Sequence, residues 1–114
     1  MEKRNRVLRK KITNIVWRLK TRYKPEAIIL FGSLAHGKFR KDSDVDLMII
    51  KKTKSNPWKR QEMIEKFMDH SVPIDLLVYT PSEIRKRLSL NDYFLREIIE
   101  KGKVLYERKG YSVN

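Results

Sequence analysis

Cysteine is absent from this chain, and histidine occurs at only two positions. These absences exclude disulfides, zinc–thiolate sites, iron–sulfur clusters, a cysteine nucleophile and a histidine-rich metal site. No apolar run approaches the roughly 18 residues that a membrane span needs, and no short apolar segment follows the basic N-terminus. We therefore expect neither a membrane span nor a signal peptide, and a cytoplasmic localisation.

The composition that remains describes one small basic domain. The 114 residues suit a single domain, residues 1–114, and a hydrophobic content of 40% is enough for a core. The 27 basic residues outnumber the 14 acidic ones, which gives a net charge of +13. This charge favours an anionic partner such as nucleic acid, a nucleotide or an acidic protein, without selecting among them.

The basic charge is concentrated at the N-terminus. Residues 1–24 hold ten basic residues and one acidic residue, a net charge of +9. The apolar residues of this segment recur at helical spacing, and Pro25 ends the helix because it disfavours helical geometry at Lys24. The exposed side is either a solvated face of a core-packed helix or a surface for an anion or partner. The apolar face comprises Leu8, Ile12, Ile15, Val16, Leu19 and Tyr23.

The rest of the chain alternates strands and helices. The predicted order is helix–strand–helix–strand–helix–strand–helix–helix–strand, an α/β or α+β fold. A capping box at Thr80–Glu83 begins one helix, and Asn91 is the expected cap of the next. The predicted strands are Ala27–Phe31, Asp44–Ile50, Pro73–Tyr79 and Val104–Tyr106. The third predicted helix carries a helical stripe of Trp58, Gln61, Met63, Ile64, Phe67 and Met68. The predicted inward-facing residues of the fifth helix are Tyr93, Phe94, Leu95, Ile98 and Ile99.

Gly32-Ser33 follows the first strand directly and opens the short helix that Gly37 closes. Glycine permits a sharp turn and the close approach of a ligand, and helix-start N–H groups attract phosphate. The Ser33 hydroxyl can donate to a phosphate oxygen. Taken alone, the pair is a weak signal, because most Gly-Ser pairs are ordinary turns.

Three aspartates stand on two predicted strands. Asp44 and Asp46 alternate with Val45, so their carboxylates point the same way. Like charges this close are costly unless a cation neutralises them or one takes a proton, and the alternative is a solvent-facing strand edge. Asp75 interrupts the apolar run from Ile74 to Val78 and joins the pair if its strand is the neighbour. Three carboxylates beside a phosphate turn favour two-metal phosphoryl transfer.

The chain resembles the polymerase-β-like nucleotidyltransferase superfamily in the order of its motifs. Gly32-Ser33 is followed after ten further residues by Asp44-x-Asp46, and Asp75 follows on a later strand. Within it, the short chain is similar to the minimal nucleotidyltransferases. The resemblance implies a mixed sheet of about four strands with helices packed on it. It also implies transfer of a nucleoside monophosphate from a nucleoside triphosphate, with Mg²⁺.

The resemblance also assigns roles. Gly32 and Ser33 would hold the triphosphate, Asp44 and Asp46 would bind the metal ions, and Asp75 would bind the second metal and act as base. One departure concerns the turn, because family members often carry basic residues where this chain has Leu34 and His36. The cations expected to compensate from the following loop are Lys38, Arg40 and Lys41.

Minimal nucleotidyltransferases of this kind are typically paired with a small helical HEPN protein in toxin–antitoxin operons. The nucleotidyltransferase is the antitoxin there, and it adenylylates the toxin. The leading hypothesis is therefore an ATP-dependent protein adenylyltransferase antitoxin in a hetero-oligomer with a HEPN toxin. One alternative is a binding module that neutralises its partner by contact alone. Another is a nucleic-acid-binding or RNA-tailing nucleotidyltransferase, which the basic first helix motivates.

Overall fold

The computed structural model of the chain describes residues 2–37 and 44–113. The expected loop Lys38–Ser43, with its three candidate cations, lies outside the described residues. No helix within the described ranges has both the length and the apolar character that crossing a bilayer requires. The elements are α1 (Glu2–Arg18), a π-helical turn (Leu19–Tyr23), β1 (Ala27–Phe31), a 3-10 helix (Ser33–His36), β2 (Val45–Ile50), α2 (Pro57–Glu65), β3 (Ile74–Tyr79), α3 (Pro81–Ser89), α4 (Tyr93–Lys101) and β4 (Lys103–Glu107).

The four strands form one mixed sheet in the order β3-β2-β1-β4. β1 runs antiparallel to both β2 and β4, whereas β2 and β3 are parallel. A parallel pair needs a crossover connection, and α2 supplies it between β2 and β3. The expected mixed sheet of about four strands with packed helices is therefore confirmed.

Helices cover both faces of the sheet, which explains why β1 and β2 are almost continuously apolar. On one face, strand residues such as Leu47 pack with Ile15 and Leu19 from the first helical segment and with Ile64 from α2. On the other face, Ile29, Met48 and Ile50 pack with α3 and α4. This second face is the one that carries Asp46, because side chains alternate along β2.

The first helical segment ends at Lys24, before Pro25, as the sequence predicts, but its last turn is not α-helical. Its last turn is a π-helix, after which Lys24 adopts a left-handed conformation (φ 55°) and its N–H donates to Leu19 O at 3.0 Å. The Lys51 ammonium donates to Tyr23 O at 2.8 Å and to Lys24 O at 3.1 Å. A cation on the last carbonyls of a helix stabilises its C-terminus, so β2 and the helix are joined here.

Three sequence predictions about α2 and α4 are wrong. Trp58 does not face inward but is 79% exposed, and Arg60 is buried on that helix instead. Asp92, not Asn91, caps α4, because Asn91 adopts a left-handed conformation that asparagine tolerates. Leu95 and Ile98 are the buried residues of α4, whereas Tyr93 and Phe94, expected to face inward, are 78% and 53% exposed respectively.

Candidate functional site

The turn after β1 requires glycine. Gly32 has φ 75° and ψ −158°, a backbone combination that is essentially restricted to glycine. A Cβ at this position would overlap Asp46 Oδ2 and lie 3.2 Å from Asp46 Cγ. The bare Cα of Gly32 therefore lets the Asp46 carboxylate lie directly against the turn.

The 3-10 helix that follows presents a hydroxyl to solvent. Leu34 is buried and anchors the turn, whereas Ser33 and His36 are exposed. The Ala35 N–H donates to Gly32 O at 3.2 Å, and the Gly37 N–H donates to Leu34 O at 3.1 Å. Ser33 thus lies on an ordered turn next to Asp46, where its hydroxyl is accessible to a ligand.

The sheet brings the predicted aspartates together. In the parallel β2–β3 pairing, Asp46 is directly opposite Asp75, and the antiparallel partner of Asp46 is Phe31, which precedes Gly32. Asp44 stands two residues before Asp46 and is exposed. All three carboxylates therefore lie at the end of the sheet where the Gly32 turn emerges.

Asp46 is the electrostatically strained member of this group. Burial raises the pKa of Asp46 above its usual value, and the charges of Asp75 and then Asp44 raise it further. A hydrogen bond with the Asp75 side chain acts in the same direction. Described neighbours that oppose its charged form make Asp46 a favourable position for a bound cation.

The donor chemistry of this cluster fits a hard divalent cation. Mg²⁺ prefers carboxylate oxygens together with substrate phosphate, and a cation here would offset the like-charge repulsion at Asp46. Across the described ranges, no three Asp, Glu, His or Cys side chains are already arranged to hold a metal ion. Asp46 and Asp75 are the apposed pair, and Asp44 would have to turn towards them to become a third ligand.

A cavity of about 250 Å³ adjoins the Gly32 turn on the side of α4. Phe94 and Lys101 of α4 line it together with Phe31 and His36. The sequence pattern alone predicts a core position for Phe94 and no role for Lys101. The sequence does indicate that some apolar side chain of this helix is exposed, because residues 93–99 contain more apolar residues than one helical face can bury.

The chain belongs to a nucleotidyltransferase family. The family model described as "Polymerase beta, Nucleotidyltransferase" matches residues 10–111, which is most of the chain and includes every candidate site residue. This membership agrees with the mixed sheet and with the motif order that the sequence analysis used. The activity class of the family is nucleotidyl transfer.

Two relatives make the comparison more specific. A Methanocaldococcus jannaschii protein named "Putative protein adenylyltransferase" is 29% identical over 99 residues, covering 85% of this chain and 96% of that protein. The crystal structure of "a putative nucleotidyltransferase from Sulfolobus solfataricus" superposes with a TM-score of 0.65 at 20% identity. This superposition covers 89% of this chain and 81% of that one, and it concerns the fold alone.

Proposed function

We propose that this chain transfers AMP from ATP to a protein acceptor. The observation that carries the proposal is the apposition of Asp46 and Asp75 directly beside Gly32. In this proposal Gly32 and Ser33 bind the triphosphate, while Asp44, Asp46 and Asp75 hold Mg²⁺. The name of the Methanocaldococcus jannaschii relative supports adenylyl transfer as the reaction.

The reaction is a displacement at the α-phosphorus. The acceptor hydroxyl oxygen forms a new phosphoester bond there, the bond from the α-phosphorus to the bridging oxygen breaks, and pyrophosphate leaves. The Asp75 carboxylate takes the proton of the attacking hydroxyl. Bound Mg²⁺ supplies stabilisation of the charge that develops on the phosphoryl oxygens. The Ser33 hydroxyl and the turn N–H groups orient the triphosphate for this displacement.

The acceptor that we propose is a HEPN-family toxin, with this chain as its antitoxin. The support is the resemblance to the minimal nucleotidyltransferases. The described residues hold one sheet with its helices and no separate acceptor domain. An acceptor hydroxyl delivered by another chain therefore suits the open end of the sheet around Asp75, which is itself exposed.

The decisive experiment is label transfer from α-labelled ATP with Mg²⁺ to the product of the adjacent gene, with intact mass recording added AMP. Asp46→Asn preserves side-chain shape but removes a charge, and we expect activity to fall by orders of magnitude. Glu62→Gln, at an exposed carboxylate of α2, is the matched control and should retain activity. If the wild type transfers nothing yet neutralises its partner as well as Asp46→Asn does, the protein acts by contact alone.

Nucleic acid is a second candidate acceptor, because of the exposed face of α1. Arg6, Lys10 and Lys20 are exposed on the first helical segment, and Trp17 is 60% exposed between them. This face lies on the opposite side of the sheet from Asp46. RNA binding that weakens steeply with salt, together with label transfer to RNA, would favour this candidate over the protein acceptor.

A further inference from the structure

An aromatic side chain is left exposed beside the candidate site. Phe94 lies in the first turn of α4 and is 53% exposed, although it meets Phe31 edge-to-face with ring centroids 6.0 Å apart and an interplanar angle of 88°. Phe31 is the residue paired with Asp46 in the sheet. The Phe94 ring is thus held in a fixed orientation and keeps a surface open to a ligand.

The surface of Phe94 belongs to a concave site. The cavity of about 250 Å³ lies between α4 and the Gly32 turn, so it begins where the proposed triphosphate site ends. Phe31, Phe94 and Ile98 make it largely apolar, while Glu97 and Lys101 stand at its side and pair at 3.8 Å. Apolar walls with a few polar groups are typical of small-ligand sites.

We propose that this cavity is the nucleobase subsite, with the base of the nucleoside triphosphate stacked on Phe94. The proposal rests on the proposed function, since it deepens the nucleotide site that Gly32 and Ser33 begin. One nucleotide spans both places because Gly32 borders the turn and the cavity alike. Phe94 is then a residue that contributes to nucleotide affinity without contacting the phosphates.

The lining favours a base over a phosphate group as the occupant. A polyanion would face the Glu97 carboxylate and three apolar side chains, and Lys101 is already engaged by Glu97. A nucleobase has an apolar π-face for the Phe94 ring and edge donors and acceptors that Glu97 and Lys101 can meet. Stacking on an aromatic ring is also tolerant of base identity, which suits a cavity with few polar groups.

The test compares Phe94→Ala with Tyr93→Ala by calorimetric titration in the presence of Mg²⁺. Tyr93 is the neighbouring aromatic residue of α4, is 78% exposed and is not among the residues that line the cavity. Each protein is titrated with ATP and, separately, with inorganic tripolyphosphate, which has no base. Phe94→Leu keeps an apolar side chain without the ring, and thermal melts identify any variant that fails to fold.

We expect Phe94→Ala to bind ATP roughly 5- to 100-fold more weakly, the range that loss of one stacked base implies. Tripolyphosphate affinity should be unchanged in that variant, Phe94→Leu should be intermediate, and Tyr93→Ala should match the wild type. Equal ATP affinity in Phe94→Ala and the wild type would overturn the base subsite and leave the proposed function intact. Loss of tripolyphosphate affinity in Phe94→Ala would instead assign the cavity to phosphate. A wild type that binds neither ligand would overturn the proposed function as well.

Discussion

The carboxylates of Glu26 and Asp46 lie at opposite ends of β1 and have opposite electrostatic environments. Glu26 immediately precedes the strand and Asp46 lies against the glycine that follows it. Glu26 is only 4% exposed, yet its side chain accepts a hydrogen bond from the Lys52 N–H and pairs with Arg108 at 3.1 Å. Asp46 is less buried, but among the described residues the charges that act on it are the carboxylates of Asp75 and Asp44.

The comparison shows that burial alone does not mark a functional carboxylate. At Glu26 the donors and the cation are supplied by the chain itself, so the charge serves to tie β4 to the start of β1. At Asp46 the described neighbours add negative charge, so its charged form needs a proton or a cation that these neighbours do not supply. A group whose neighbours oppose its charged form is therefore the better candidate for binding and catalysis.

The glycine that holds Asp46 in place offers the largest expected effect on stability. Gly32→Ala should lower the free energy of unfolding by about 2–4 kcal/mol, since the backbone is strained for alanine and the new Cβ displaces the Asp46 carboxylate. Gly37→Ala is the matched control, with the same φ of 75° but no atom within 4 Å of its Cβ, and should cost about 1–2 kcal/mol. Urea unfolding gives both values, and equal losses would mean that the contact with Asp46 contributes nothing.

Replacing the carboxylate by an amide should affect the free energy of unfolding differently at Glu26 and at Asp46. Glu26→Gln keeps an oxygen for the Lys52 N–H but loses the ion pair with Arg108, so we expect a loss of about 1–2 kcal/mol in unfolding free energy. Asp46→Asn relieves repulsion in metal-free protein and should be neutral or slightly stabilising. Thermal melts in the presence of a chelator measure both. A destabilised Asp46→Asn would mean that this carboxylate is a structural group like Glu26.

Much of the site was accessible from the sequence because its signals are local. The alternation of Val45 and Asp46 predicted which face of β2 carries the Asp46 carboxylate, although Asp44 lies just before the strand, and Gly32 between a strand and a short helix marked the turn. The strand positions follow from short apolar runs bounded by proline and glycine. The pairing of Asp46 with Asp75 needed one further assumption, that β2 and β3 are neighbours, which the sheet order bears out.

The parts that the sequence did not reveal depend on tertiary contacts. Glu26 looks like a loop residue until Lys52 and Arg108, from distant parts of the chain, surround it. The outward position of Phe94 follows from packing, because Leu95 and Ile98 take the buried positions of α4 and leave Phe94 at the edge of that face. Arg60 could not be assigned to the interior without knowing that a carboxylate would meet it there.

Glu83 is the carboxylate that pairs with the buried Arg60. Loss of this ion pair is the smallest of the expected changes in the free energy of unfolding. Arg60 is 5% exposed and donates through Nη1 and Nη2 to Glu83 at 2.8 and 3.2 Å, and through Nε to Ser55 O at 2.8 Å. Glu83 also accepts from the Thr80 N–H in the capping box of α3. The pair therefore joins α2 to the start of α3.

The hydrogen bond from Arg60 holds the pKa of Glu83 below its usual value of 4.5, although partial burial opposes this. Because the folded-state pKa is the lower one, the stabilisation is fully present above about pH 4.5 and is lost as the pH falls through the folded value.

We expect Glu83→Gln to lower the free energy of unfolding by about 0.5–1.5 kcal/mol at pH 7, a range reduced because the side chain is 37% exposed. In thermal melts from pH 7 to pH 3, the difference in stability between wild type and Glu83→Gln should close below pH 4.5. The control variant Glu62→Gln, at an exposed glutamate, should follow the wild type throughout. A gap that stays constant over this range would mean that the charge of Glu83 adds nothing to its hydrogen bonds.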